Sequence, residues 1–165
     1  MRVSIREVEQ LPAFLRQISA SDDPANDYSD WGVDPSEFRQ PSGLRRWVIE
    51  LDQGDRGPAI IVGDLSAHDR PYGPNPASMA ISIGIYVLPD YRAQGIGATA
   101  QRTLAQTLHA EGFVRVEAST DCANIAEQRS LAKAGFVFEG VLRSAQVRAS
   151  GRHDLQLWSA IAPLP

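Results

Sequence analysis

Two glycines in front of a predicted helix are the residues best placed to do chemistry. Residues 91–100 read YRAQGIGATA, and Gly95 and Gly97 stand one residue apart. Glycine lets a backbone approach a ligand closely, and the amides and dipole of a helix N-terminus attract an anion. The pattern therefore predicts a phosphate-binding loop. A strand–helix turn that needs glycine only for its geometry is the alternative, and the loop alone does not separate the two.

The surroundings of this loop distinguish between phosphate ligands. A nucleoside-triphosphate loop requires a lysine directly after its last glycine, and none is present, so that class is excluded. Gly95, Gly97 and Ala100 fit the G-x-G-x-x-A pattern of dinucleotide loops, and Glu117 lies where a ribose-binding acid would. In such loops, however, the strand runs directly into the first glycine, whereas here LPDYRAQ separates Val87 from Gly95. A coenzyme A loop and a structural turn remain.

Composition and charge exclude several classes of protein. The chain has 165 residues, which fits one domain spanning residues 1–165, and 43% of them are hydrophobic. A net charge of −4 and a pI near 5.3 argue against a nucleic-acid partner. One cysteine, Cys122, supports neither a disulfide framework nor a cysteine zinc site, and we expect no metal. Without a signal peptide or an apolar span, we expect a cytoplasmic protein that binds no membrane.

Hydrophobic periodicity predicts strands with two helices inserted late in the chain, which indicates a mixed α/β sheet. In residues 79–87, isoleucines and a valine alternate with small residues, so one face of that strand is apolar and the other leaves room for close approach. The predicted strands are 2–5, 45–51, 58–65, 79–87, 113–119, 136–149 and 153–161; the predicted helices are 7–18, 97–111 and 124–134; residues 19–43 and 66–78 are predicted connections.

Several motifs in series resemble those of the GNAT acyltransferases. YRAQGIG resembles the [RQ]-x-x-G-x-[GA] loop of that superfamily, and the strand ISIGIYVLPD precedes it at the right distance. NIAEQRSLAKAGFVFEGVLR is similar to the second half of the RimJ/RimL-type N-acetyltransferases, and GRHDLQLWSAI resembles their closing strand. The resemblance covers residues 45–161. It implies an α+β fold with a mixed, mostly antiparallel sheet, splayed central strands and about four flanking helices, with acetyl-CoA in the gap.

The resemblance also implies which residues bind the cofactor. Backbone groups of Ile85, Val87 and Leu88 would bond the pantetheine arm, and Asn124 would bond the pantetheine end of the cofactor, although Asn124 is equally suited to cap a helix. The loop from Arg92 to Ala98 would hold the pyrophosphate through backbone amides, those of Gln94, Gly95, Ile96, Gly97 and Ala98.

The implied activity is transfer of an acetyl group from coenzyme A to a primary amine, by direct attack in a ternary complex. The acceptor would be a small molecule or the N-terminus of a peptide. A catalytically inactive acyl-CoA-binding sensor is the alternative function, and an NAD-dependent oxidoreductase is a third. A homodimer is a candidate assembly.

The residues that usually move protons in the family are replaced in this sequence. Many members carry a tyrosine where Leu131 stands, or a serine where Glu127 stands, and a glutamate base matches Gln146. Glu127 lies one helical turn after Asn124 and becomes a candidate acid if burial raises its pKa. The alternative is a solvated glutamate paired with a neighbouring cation. Glu117 is a candidate base or a member of a salt bridge, and Gln146 is a candidate for orienting water or substrate.

We expect the acceptor pocket to be built by residues 20–43, residues 66–78 and the last hairpin. Candidate acceptor contacts are Tyr28, Trp31, Tyr86 and His153. Several aspartates in residues 20–43 would suit a cationic amine together with these aromatics, or would serve only as turn and cap residues.

Overall fold

A computed structural model of the chain describes residues 2–16 and 30–163. One seven-stranded sheet carries the described chain, and helices pack on it. The strands are β1 (Arg2–Val8), β2 (Arg45–Asp52), β3 (Ile60–Pro71), β4 (Met79–Val87), β5 (Arg115–Asp121), β6 (Val137–Arg148) and β7 (Gly151–Ile161), and the helices are α1 (Ala13–Arg16), α2 (Ile96–Ala110) and α3 (Ile125–Ala134).

The spatial order of the strands is β1-β2-β3-β4-β5-β7-β6. Among the strands that the structure describes, only β4 and β5 run parallel, and the other neighbours are antiparallel, so the predicted mixed, mostly antiparallel sheet is confirmed. The described residues contain three α-helices and several 3₁₀ turns, which agrees roughly with the expected helix count. No helix among them is long and apolar enough to cross a membrane.

Helices cover one face of the sheet. Leu104 and Leu108 of α2 are fully buried and lie in the same core cluster as Ile81 and Ile83 of β4. The predicted stripe on α2 therefore packs on the apolar face of β4, since burial of such side chains is the main driving force for docking a helix on a sheet. We call this side of the sheet the helix-covered face.

The opposite side, which we call the open face, carries small residues at the centre of the sheet. Gly84 is exposed, and a Cβ built on it would lie 3.0 Å from Ser66 Oγ of β3. A second, smaller cluster packs on this side, where Leu11 and Leu15 contact Val48 of β2. The open face is therefore covered by Leu11 and Leu15 near β2, whereas beside β4 it carries small side chains.

Two predicted segments are wrong. The helix expected at 7–18 begins only at Ala13, because residues up to Val8 pair with β2 in an unbroken antiparallel register, and residues 17 and 18 lie outside the described residues. The loop expected at 66–78 is strand as far as Pro71, because this polar stretch pairs with the first half of β4. Cross-strand pairing outweighs composition in both places.

Candidate active site

A gap opens between the two parallel strands at the centre of the sheet. β4 and β5 pair at Ile81 with Val116 and at Ser82 with Glu117, and their pairing ends there. β4 continues to Val87, beyond the last pair. The predicted splay is therefore present, and within the described part of the chain it leaves one edge of β4 beyond Ser82 without a neighbouring strand.

The backbone of β4 presents hydrogen-bonding groups to this gap. The Leu88 amide donates to the Val62 carbonyl at 2.9 Å, and the same register pairs Tyr86 with Asp64. In an antiparallel pair, bonding residues alternate, so Tyr86 bonds towards β3 while Ile85 and Val87 turn their backbone groups away from it. These groups lie along the gap.

Leu88, which is expected to bind the cofactor, has both of its backbone groups bonded within the fold. Its amide is already bonded to β3, and its carbonyl accepts from the Tyr91 amide at 2.9 Å. Its side chain packs against the smaller cluster that contains Leu11 and Leu15. The sequence does not show which backbone groups of a strand face its neighbour, and the part of Leu88 in cofactor binding stays a prediction.

The glycine loop is held firmly against the end of β4. The Arg92 side chain donates through Nε to the Val87 carbonyl at 2.9 Å, and its guanidinium lies 5.4 Å from the centroid of the Tyr86 ring. The Gln94 side chain donates to the Asp90 carbonyl at 3.0 Å. Both side chains therefore brace the loop.

Positive φ angles shape the loop. Gly95 has φ 79° and ends the loop at the start of α2, and Ala93 has φ 59°. Residues Ile96, Gly97 and Ala98 then form the first turn of α2, whose amides have no acceptor within the helix. These amides and the positive end of the helix dipole form an anion-binding end.

A cleft of about 480 Å³ lies where the gap, the loop and α3 meet. The described residues that line it come from the end of β4, the loop, the first turn of α2 and one side of α3: Ile85, Tyr86, Val87, Tyr91, Arg92, Ala93, Gly95, Ile96, Gly97, Ala98, Asn124, Ala126, Glu127, Arg129, Ser130 and Lys133. Most of the residues expected to bind the cofactor are therefore brought together; Gln94 and Leu88 do not line the cleft.

Asn124 caps α3 at the edge of the cleft. Its Oδ1 accepts from the Glu127 amide at 3.2 Å. This contact is the helix cap considered from the sequence, and Asn124 also lines the cleft. One residue is thus placed for both of the parts considered from the sequence.

Glu127 is held in a polar network inside the cleft. The side-chain amide of Gln101, a buried residue of α2, donates to Glu127 Oε1. Ser130 Oγ donates to Gln101 Oε1 at 2.9 Å. Burial raises the pKa of the Glu127 carboxyl to about 7 from an ordinary 4.5, and the hydrogen bond from Gln101 opposes the rise. A carboxyl of this kind can both hold and release a proton near neutral pH.

Glu117 lies in a different environment. It is 3% exposed, and its Oε2 accepts from Tyr72 Oη at 2.8 Å and from Arg115 Nε at 3.0 Å. Arg70 lies 3.5 Å from its other oxygen. Glu117 thus belongs to a salt-bridge cluster, which is the second of the two interpretations considered from the sequence.

Gln146 and His153 face each other across the final hairpin. Gln146 accepts through Oε1 from Arg148 Nε at 2.9 Å. His153 Nδ1 lies 2.7 Å from Asp121 Oδ2, and Arg148 reaches the same oxygen at 2.8 Å. Sequence reasoning missed Asp121 and Arg148, which come together because β7 pairs with β5 on one side and with β6 on the other.

The remaining acceptor candidates are dispersed. Tyr86 lines the cleft and is paired with Asp64 of β3. Burial raises the pKa of the Asp64 carboxyl to about 6, although the positive charge of Arg46 acts to lower it. Trp31 packs edge-to-face on Phe38 with ring centroids 6.5 Å apart. Tyr28 lies outside the described residues.

Two parallel strands that separate beside an anion-binding helix end are the arrangement that the resemblance to the GNAT acyltransferases implies. A sequence model of the Acetyltransferase (GNAT) domain family matches residues 4–137. The chain therefore belongs to the GNAT family of N-acetyltransferases.

Solved structures support the fold. RimL, a ribosomal L7/L12 alpha-N-protein acetyltransferase in complex with coenzyme A, is 20% identical, with a TM-score of 0.58 over 72% of this chain and 62% of that one. A ribosomal-protein-S5-alanine acetyltransferase from Vibrio fischeri is 23% identical, with a TM-score of 0.58 over 72% of this chain and 61% of that one. This chain thus matches less than two thirds of the length of either protein.

A third structure matches end to end. A protein described as a candidate phosphinothricin N-acetyltransferase is 16% identical, with a TM-score of 0.69 over 99% of this chain and 100% of that one. Relatives that act on a protein N-terminus and one named for a small molecule therefore share this fold.

Proposed function

We propose that the protein transfers an acetyl group from acetyl-CoA to the primary amine of a small molecule or a peptide N-terminus. The observation that carries the proposal is the cleft in which the first turn of α2, the unpaired edge of β4 and the Glu127 carboxyl meet. The amide donors fit a pyrophosphate, and the gap-facing backbone of Ile85 and Val87 fits the amides of a pantetheine arm.

Two cations extend the fit to the adenosine end of coenzyme A. Arg129 and Lys133 lie four residues apart on α3, and both line the cleft. Coenzyme A carries a 3′-phosphate besides its pyrophosphate, so it needs a second anion site. We assign that site to these two side chains, since residues four apart on a helix share one face.

Acetyl-CoA supplies the acetyl thioester. The chain's own residues then have three tasks: to position the amine, to donate hydrogen bonds to the carbonyl and to manage protons. The amides along the free edge of β4 are the donors. Because α2 and α3 fill the helix-covered face, the amine reaches the gap from the open face beside Gly84.

Glu127 is the residue proposed to protonate the departing thiolate. With a pKa of about 7 it holds a proton in a large fraction of molecules at neutral pH. Gln101 and Ser130 position its carboxyl by hydrogen bonds. Glu127 lies one turn into α3, at the position where some family members have a serine. The position of the tyrosine that acts as acid in many members is occupied by Leu131, which is fully buried. Glu127 would therefore take over the part of that tyrosine.

Release of free thiol from acetyl-CoA tests the proposal. We expect a thiol reagent to report turnover with at least one member of a panel of small primary amines and short peptides, and acetyl-CoA to raise the melting temperature. Tight binding of acetyl-CoA without thiol release from any amine would favour the sensor alternative. Protection by NAD instead of coenzyme A would favour the oxidoreductase. A cytoplasmic location and a homodimer stay predictions.

A further inference from the structure

A hydroxyl, an imidazole and a carboxylate form a continuous chain at the tip of the β6–β7 hairpin. Ser150 Oγ lies 2.8 Å from His153 Nε2, and His153 Nδ1 lies 2.7 Å from Asp121 Oδ2. Asp121 is the last residue of β5, while Ser150 lies in the turn that leads into β7. None of these three described residues lines the cleft, so the chain of groups stands apart from the acetyl-CoA site.

The carboxylate end of this chain is buried and charged. Asp121 is 5% exposed, and its oxygens accept from the Ala123 amide at 2.7 Å and from Arg148 at 2.8 Å. These contacts keep the carboxylate ionised. An ionised carboxylate at Nδ1 of His153 makes that nitrogen the protonated one, which leaves Nε2 free to accept a proton from the Ser150 hydroxyl.

The hydroxyl end is accessible, and its turn is anchored. Ser150 is exposed. The preceding Ala149 donates its amide to the Asp30 carbonyl at 3.1 Å, and a Cβ built on Gly32 would lie 2.9 Å from the Ala149 Cα. The segment at residues 30–32 therefore holds the tip of the hairpin, and a ligand can reach the serine without opening the fold.

We propose that Ser150, His153 and Asp121 form a second reactive centre, in which Ser150 accepts the acyl group of an ester. Ser150 Oγ bonds to the carbonyl carbon as the bond from that carbon to the leaving oxygen breaks. His153 Nε2 takes the hydroxyl proton and passes it to the leaving alcohol. Water then repeats the attack, loses its proton to His153 and releases the carboxylic acid, and Ser150 regains its proton.

Labelling of the full chain with a fluorophosphonate probe tests this centre without coenzyme A or an amine. We expect one adduct by intact mass, placed on Ser150 by peptide mapping, and faster hydrolysis of p-nitrophenyl acetate than in Ser150→Ala. Ser42→Ala is the matched control, because Ser42 is also exposed but its hydroxyl donates to a carboxylate, Asp69, at 3.1 Å. It should label like the wild type.

His153→Gln tests the activation of the serine. It keeps the nucleophile but removes the proton acceptor, so labelling should slow by about a hundredfold. Asp121→Asn should also slow labelling, because an amide no longer fixes the protonated nitrogen of His153. Circular dichroism checks that each variant is folded.

Two outcomes would overturn the proposal: no adduct on Ser150 of the folded wild type, or an unchanged labelling rate in folded His153→Gln. Either result leaves thiol release from acetyl-CoA unaffected, so failure here is distinct from failure of the proposed acetyl transfer.

Discussion

The side chains of Gln101 and Glu127 meet between α2 and α3, inside the cleft and beside the glycine loop. Gln101 is 1% exposed and also accepts a hydrogen bond from Ser130, so both ends of its amide are used. A neutral amide satisfies the carboxyl without supplying a positive charge. Burial therefore raises the pKa of Glu127, whereas a lysine or arginine in the same place would lower it.

Replacement of this carboxyl should slow acetyl transfer without preventing cofactor binding. In Glu127→Gln we expect kcat to fall by about a hundredfold, the lower end for loss of a general acid, with a nearly unchanged KM for acetyl-CoA. The wild-type kcat should decrease as pH rises above about 7, since Glu127 then loses its proton. The variant should lack this decrease.

A matched control is Glu9→Gln, because Glu9 is exposed and does not line the cleft. Steady-state kinetics from pH 6 to pH 9 compare the three proteins. If Glu127→Gln had the kcat and the pH profile of the wild type, the role of Glu127 as the acid would be contradicted.

The same pKa shift predicts a pH dependence of stability. The folded pKa of about 7 exceeds the ordinary value of 4.5, so the folded state binds more protons between these values. The contribution of Glu127 is thus most favourable below about pH 4.5 and is lost as pH rises to 7. The loss is at most roughly 3 kcal/mol. Urea unfolding should show that the free energy of unfolding decreases less from pH 5 to pH 8 in Glu127→Gln than in the wild type. Equal decreases in the two proteins would count against the raised pKa.

Local motifs explain why the loop and the sheet were predictable. The glycine spacing and the alternation in residues 79–87 involve residues that are close in sequence. The structure contains the loop that ends at Gly95 and the strand β4 that these two patterns predict. Glu127 was placed beside Asn124 by helical spacing alone. Its burial was not predictable, because Gln101 comes from a helix 26 residues earlier.

Contacts between distant strands explain what the sequence did not show. His153 and Asp121 are 32 residues apart, and only the register of β5 with β7 brings them together. The direction of the Leu88 amide likewise depends on which β3 residue it faces. Neither of these two contacts follows the period of two or 3.6 residues that marks a strand or a helix, so neither can be predicted from the hydrophobic pattern.

Gly95→Ala should weaken coenzyme A binding as well as destabilise the fold. Gly95 has φ +79°, and a Cβ there would meet none of the described residues within 4 Å, so the cost to stability is backbone strain, about 1–2 kcal/mol. Relief of that strain moves the loop amides, and we expect at least about a tenfold loss of affinity by calorimetry.

Gly54→Ala is the matched control for strain. Gly54 has φ +60° and equally open surroundings, but it lies in a turn that does not line the cleft. A similar loss of stability with unchanged affinity is expected. Equal affinities for both variants would show that the glycine loop does not hold the pyrophosphate.

Substitution of the two α3 cations should change the preference for the 3′-phosphate. In Arg129→Gln and Lys133→Gln we expect affinity for coenzyme A to fall by about tenfold each, since a charge-assisted hydrogen bond contributes about 1.5–3 kcal/mol. Affinity for dephospho-coenzyme A should stay constant. Arg39→Gln, an exposed arginine outside the cleft, is the control. Parallel losses for both ligands would place the 3′-phosphate elsewhere.

Loss of Arg148 should destabilise the fold far more than loss of a surface arginine. The side chains of Arg148 and Asp121 are 4% and 6% exposed, so Arg148→Met leaves a buried carboxylate with fewer partners, at a cost of about 3 kcal/mol. Arg6→Met breaks the exposed pair with Glu50, in which Arg6 is 55% exposed, and should cost at most about 1 kcal/mol.

Chemical unfolding at pH 7 and pH 3 measures both arginine variants. Although burial alone would raise it, the pKa of Asp121 is held below its ordinary value by its hydrogen bonds and the charge of Arg148. Stability from this carboxylate is therefore present above its unfolded pKa and is lost as pH falls. The difference between wild type and Arg148→Met should accordingly shrink at acid pH. A cost for Arg148→Met no larger than for Arg6→Met would show that the remaining partners of Asp121 suffice to hold its charge.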